Sequence, residues 1–128
     1  KFKKENKELL TYLLFEENDE AAYISSVKNE IDEAFLELNT KSVYIAKKNI
    51  RRILRITNRY IKYSGLKTTE ASLLLHVCSK INESGLELSK SAALFNIYAS
   101  QVKKIRAAIE TMHEDLQYDF NKELELIE

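Results

Sequence analysis

Ser42-Val-Tyr-Ile-Ala-Lys-Lys-Asn-Ile-Arg-Arg-Ile-Leu-Arg-Ile-Thr-Asn-Arg-Tyr-Ile-Lys-Tyr-Ser-Gly65 is the stretch that decides the fold. At about 100° per residue, Val43, Ala46, Ile50, Ile53, Leu54, Thr57 and Ile61 gather in one narrow sector. Lys48, Arg52, Arg55, Arg59 and Lys62 fall on the opposite side, joined by Lys47 and Arg51. The spacing predicts a long helix over residues 42–64 with one face in the core and a cationic ridge outside. Gly65 supplies the left-handed residue that commonly closes a helix.

The same periodicity extends in both directions. A first helix is expected over Phe2 to Glu17. Asn18 or Asp19 then caps a second helix, whose stripe is Ile24, Val27, Ile31, Ala34, Phe35 and Leu38 and which ends near Asn39-Thr40. Downstream of the long helix, Thr68 or Thr69 is the expected cap of a fourth, over about residues 69–83. Its Ala71, Leu73, Leu74, Leu75, Val77, Cys78 and Ile81 are apolar almost all round, as in the buried centre of a bundle. Gly85 ends it. A short fifth helix over Ser89 to Phe95 and a sixth from Ser100 follow, the last carrying Val102, Ile105, Ile109, Met112 and Leu116 on one stripe. The fold class is therefore all-α, a compact bundle of five to six helices. Residues 1–20 form an N-terminal helix or extension, 21–118 the bundle and 119–128 an acidic tail.

Composition agrees. The 128 residues, the size of one domain, contain no proline and only two glycines, where average usage gives about six and nine. A sheet protein needs turn residues that this chain lacks. A single cysteine, Cys78, forms no internal disulfide and sits in no zinc-type cluster, which fits an intracellular setting in nucleus or cytoplasm. No apolar run is long enough to span a bilayer, so no membrane association is expected.

The 20 basic and 20 acidic residues cancel, but they are not mixed. Residues 1–40, 41–109 and 110–128 carry net charges of −5, +11 and −6. A strongly positive middle points to an anionic partner, unless the acidic ends fold over it. The ridge of Lys47, Lys48, Arg51, Arg52, Arg55, Arg59 and Lys62 suits several phosphates or an acidic protein. Tyr44, Tyr60, Tyr63 and Tyr98 interleave with it and suit either base stacking or half-buried packing.

Leu88-Ser-Lys-Ser-Ala-Ala-Leu-Phe-Asn-Ile-Tyr-Ala-Ser-Gln-Val-Lys-Lys-Ile-Arg106 has the spacing of a helix-turn-helix. Ala92 is the small residue where two crossing helices touch. Asn96 stands where the turn asks for positive φ, and Ile97, Val102 and Ile105 lie at buried positions. Ser91 occupies a site usually apolar, and Asn96 replaces the preferred glycine. Ser100, Lys103, Lys104, Ala107 and Thr111 would face outward toward a phosphate backbone or groove, with Gln101 at the side where it could read a base edge.

Nothing in the chain argues for catalysis or a cofactor: there is no glycine-rich phosphate loop, nucleophile elbow or carboxylate pair. His76 reads as a core or boundary residue and Cys78 as a small buried hydrophobe. His113, near Glu110 and Glu114, lacks further ligands at metal spacing.

In their order, the helices over about Ala21 to Leu116 resemble one cyclin-fold repeat of the transcription factor IIB family. The match is carried by Thr69-Glu-Ala-Ser-Leu-Leu-Leu-His-Val-Cys-Ser-Lys-Ile81, by Leu88-Ser-Lys-Ser-Ala-Ala and by Ala99-Ser-Gln-Val-Lys-Lys-Ile. The resemblance implies a five-helix bundle around a buried third helix, bridging promoter DNA, a TATA-binding-type protein and RNA polymerase. It implies that Ser100, Gln101, Lys103, Lys104 and Ala107 face DNA, with DNA favoured over RNA. The chain departs from the family in having one repeat where the family has two, no preceding zinc ribbon and a short link before residue 42. Set against this is a second expectation, a non-catalytic helical scaffold whose basic ridge meets an acidic protein.

Overall fold

A computed structural model describes residues 19–128, so the helix expected over Phe2 to Glu17 lies outside the described residues. Five α-helices follow: α1 (Glu20–Leu36), α2 (Val43–Ser64), α3 (Lys67–Glu83), α4 (Ala92–Glu110) and α5 (Glu114–Ile127). Among the described residues there is no strand.

Local chemistry sets the boundaries. Asp19 accepts from the Ala22 amide at 3.1 Å and opens α1. Asn39 then accepts from the amides of Lys41 and Ser42 at 2.9 and 3.0 Å, a tight polar turn that delivers the chain to α2. Ser42 caps α2 through the Ile45 amide, and Gly65 closes it at φ 73° with its N–H on the Ile61 carbonyl. The expected threonine cap of α3 is corrected. Leu66 precedes that helix without a side-chain cap, and Thr69 is buried within it. The Thr69 hydroxyl instead donates to Glu20 Oε2 at 2.5 Å, beside the Ser64 hydroxyl at the same distance, so one carboxylate of α1 straps the α2–α3 turn.

Helix α3 packs against all four others and is the centre of the bundle. Ala71, Leu73, Leu74, Val77 and Cys78 are fully enclosed, and Leu75 and Ile81 nearly so. Each leucine, valine and isoleucine among them contributes roughly 1.5–3 kcal/mol on burial. Tyr23 and Tyr60 meet edge to face beside it, with the Tyr23 hydroxyl donating to the Tyr60 carbonyl at 2.7 Å and the Tyr60 hydroxyl to Glu30 at 2.6 Å. His76 takes the boundary place expected of it, paired with Asp32 of α1 at 2.6 Å.

The C-terminal third departs from expectation. A 3₁₀ turn at Leu88–Lys90 is followed by one unbroken helix from Ala92 to Glu110. Asn96 is inside that helix, and no non-glycine residue among those described has positive φ. The helix-turn-helix is thereby overturned. Asparagine costs about 0.5 kcal/mol in a helix interior, less than the roughly 1–2 kcal/mol of a left-handed residue, so the helix runs through. Ser91, odd at an apolar site of the motif, is the helix cap, accepting from the Leu94 amide at 3.2 Å.

The sixth stripe does not continue to Leu116 either. The chain turns at Thr111–His113, and His113 caps α5 by accepting from the Asp115 amide. Leu116 is 42% exposed, while Leu124 and Ile127, in the segment expected to be an acidic tail, are buried in the core. Tyr98 fastens this end: its hydroxyl donates to the Ile127 carbonyl and accepts from Asn82 of α3.

Candidate functional site

Helices α2 and α4 both pack on α3 and leave a groove between them. Arg51, Arg55, Asn58, Arg59 and Lys62 line it from α2, with Ile97, Ser100 and Gln101 from α4 and Leu54 in the floor. Its volume is about 530 Å³. Residues 51, 55, 58 and 62 fall at spacings of three and four, so one stripe of α2 delivers three cations and an amide to the same edge. The rise between Arg51 and Arg55 is about 6 Å.

The two regions singled out in the sequence thus meet, though not as a helix-turn-helix. Relative to Gln101, Lys104 is turned about 60° and Lys103 about 160° around α4. Ser100 lines the groove, and helical spacing carries Lys104, Ala107 and Thr111 onward along that side of α4; all four are exposed. Lys103 projects from another side of the helix. The ridge divides as well. Arg52 lines a second groove with Glu30 and Glu33 of α1 and Glu37 just beyond it, so its neighbourhood is acidic. Lys47 and Lys48 gather around the exposed ring of Tyr44, with their Nζ atoms 5.8 and 4.6 Å from its centre.

The electrostatics of the groove depend on where the carboxylates are. Among the described residues, Lys47, Lys48, Arg51, Arg52, Arg55, Lys62, Lys103 and Lys104 have no ion-pair partner within 4.0 Å. The C-terminal carboxylates lie along α5, where Glu128 pairs with Arg106 on the flank of α4 turned away from the groove. Among the described residues, the acidic terminus does not fold over the basic helix; residues 1–18 lie outside that description.

Gln101, expected at the side of a recognition helix, is only 6% exposed. Its Nε2 donates to the Ile97 carbonyl at 3.2 Å, and its Oε1 has no donor. Sequence reasoning also missed Asn58, Leu54 and Ile97 as groove residues. Leu54 and Ile97 read as core residues in the sequence, and the gap between α2 and α4 has no one-dimensional signature.

The remaining candidates are structural. Cys78 is enclosed, and burial pushes its thiol up to about 12, so it is a poor nucleophile near neutral pH. Tyr60 and Tyr98 are packed in the interior, and Tyr44 is the exposed aromatic of the basic stripe. His113 is engaged as a helix cap. No helix among the described residues is long and apolar enough to cross a membrane. Comparison with protein-family models, with curated proteins and with solved structures finds no match.

Proposed function

We propose that this chain is a nucleic-acid-binding domain with a cyclin-like arrangement of helices, and that its contact surface is the α2–α4 groove. The observation that carries the reading is the row of Arg51, Arg55 and Lys62 along one edge, without carboxylate partners among the described residues; helical spacing sets Lys104 on the same side of α4 as Gln101. Arg51 and Arg55 are about 6 Å apart in rise and Arg55 and Lys62 about 10 Å, spacings that suit phosphates along a nucleic-acid strand. An enclosed third helix among five supports the resemblance to a repeat of the transcription factor IIB family. On that resemblance the setting is transcription initiation, with DNA as the ligand and a TATA-binding-type protein and RNA polymerase as neighbours. The contact differs from the family's, since the groove takes the place of a terminal helix-turn-helix.

Titrating labelled DNA at 50 and 200 mM salt tests the reading. Neutralising about four phosphates gives a slope of log affinity on log salt of about −3 to −4, depending on strandedness. No binding at the lower salt concentration rules the reading out.

A further inference from the structure

Cations alone do not account for the groove. A surface that only grips a phosphate backbone needs a charged rim, yet this one has an aliphatic floor of Leu54 and Ile97 and a buried amide, Gln101, with an idle acceptor. Buried polar atoms without partners are rare, and an unfilled acceptor beside a groove marks a place for a donor on a ligand. The groove, of about 530 Å³, is largely open to solvent, so a flat group can lie in it without being enclosed.

An unpaired nucleobase meets all three demands. Its faces are flat and apolar, each base carries an N–H on its edge, and it is flanked by phosphates. A paired base has that edge occupied and its faces covered by the stack, which leaves a duplex only the rim to touch. Gln101 lines the groove with Oε1 buried beneath the surface, and a turn of its carboxamide about the soft terminal torsion brings that oxygen to an entering base. On the same stripe of α2, Tyr44 is 61% exposed and offers a stacking surface for a neighbouring base.

We propose that the α2–α4 groove takes single-stranded nucleic acid, with one unpaired base on Leu54 and Ile97 donating an N–H to Gln101 Oε1, and flanking phosphates on Arg51, Arg55 and Lys62. This rests on the nucleic-acid reading above and narrows it to strand form.

The test is fluorescence anisotropy with a labelled ten-nucleotide DNA strand of mixed sequence and with its duplex, at 50 mM salt, on the wild type and on Gln101→Met and Arg55→Glu. The expected result is at least fivefold tighter binding of the single strand. Gln101→Met weakens that binding at least fivefold, leaves the duplex within twofold, and keeps or raises the melting temperature because the idle oxygen is gone. A role confined to holding the fold gives the reverse: a lower melting temperature through loss of the Nε2 bond to Ile97, and an unchanged ratio of strand to duplex. A second probe keeps every phosphate but replaces the bases by abasic spacers, and is expected to bind at least tenfold more weakly; equal binding overturns the inference without relying on any variant. Duplex binding as tight as single-strand binding also overturns it while the wider reading stands. If neither DNA form binds but labelled polyglutamate does, and Arg55→Glu abolishes that binding, both fall in favour of an acidic protein partner.

Discussion

The hydroxyl of Tyr98 in the middle of α4 donates to the backbone carbonyl of Ile127, the last residue of α5. It also accepts from Asn82 on α3, so one side chain joins three helices. Tyr98→Phe keeps the ring and strips both bonds, leaving the Asn82 amide and the Ile127 carbonyl to find water. A loss of about 1–3 kcal/mol is expected, read as a lower urea midpoint at unchanged slope.

Ile127 and Leu124 put the strongly acidic segment into the core. Leu124→Ala is expected to cost about 2–5 kcal/mol in the same measurement, as for other large-to-small core changes. A loss under 0.5 kcal/mol would mean that residues 119–128 are an unanchored tail after all.

Asn96 separates one helix from two by the sign of a single effect. In an unbroken α4 its exposed side chain is an unfavourable interior residue, and Asn96→Ala raises stability by about 0.5 kcal/mol. At a positive-φ turn the same change would lower stability by about 1 kcal/mol. Thermal melts of the two proteins decide between them.

Lys103 and Lys104, adjacent in sequence, are expected to behave differently toward DNA. By helical spacing Lys104 lies on the groove side of α4 and Lys103 on another side. Lys104→Glu is expected to weaken binding about fivefold or more at low salt and to flatten the salt slope by about one, whereas Lys103→Glu stays within twofold. Equal effects would move the contact surface to the outer face of α4.

Alkali acts on the core through Cys78. Its thiol titrates near 9 when unfolded and is held up to about 12 by burial, so the native state keeps the proton that the unfolded chain sheds. The contribution is intact below pH 9 and is lost as pH rises to 12, amounting to about 4 kcal/mol at most. Tyr98, raised from 10 mainly by burial, acts in the same direction. Urea midpoints from pH 8 to 11 should fall more steeply in the wild type than in Cys78→Ala.

Much of this architecture is legible in one dimension because periodicity and capping report it. The α2 stripe, the Gly65 closure, the Asp19 cap and the enclosed α3 all follow from residues within a few positions of one another. What escaped reading depends on competition or on distance. The motif around Asn96 fits a turn, yet with no glycine there the unbroken helix costs less than a left-handed asparagine. In α5, Leu116, Phe120, Leu124 and Ile127 recur at helical intervals, and the carboxylates between them masked the signal. The cations could be counted in advance, but not the groove, because it lies between helices that touch a third and not each other along their length.

The separation of carboxylates from the α2–α4 groove has a consequence for encounter. Residues 19–128, like the whole chain, sum to zero charge, so the attraction between monopoles that draws a basic protein to a polyanion from afar is missing. What remains is a dipole. Within about 10 Å of a polyanionic strand, roughly the screening length at 0.1 M salt, that dipole exerts a torque and swings the arginine edge to the front before any atom touches. Orientation is thereby chosen during approach, and a partner of the opposite sign would be met by the opposite side of the molecule.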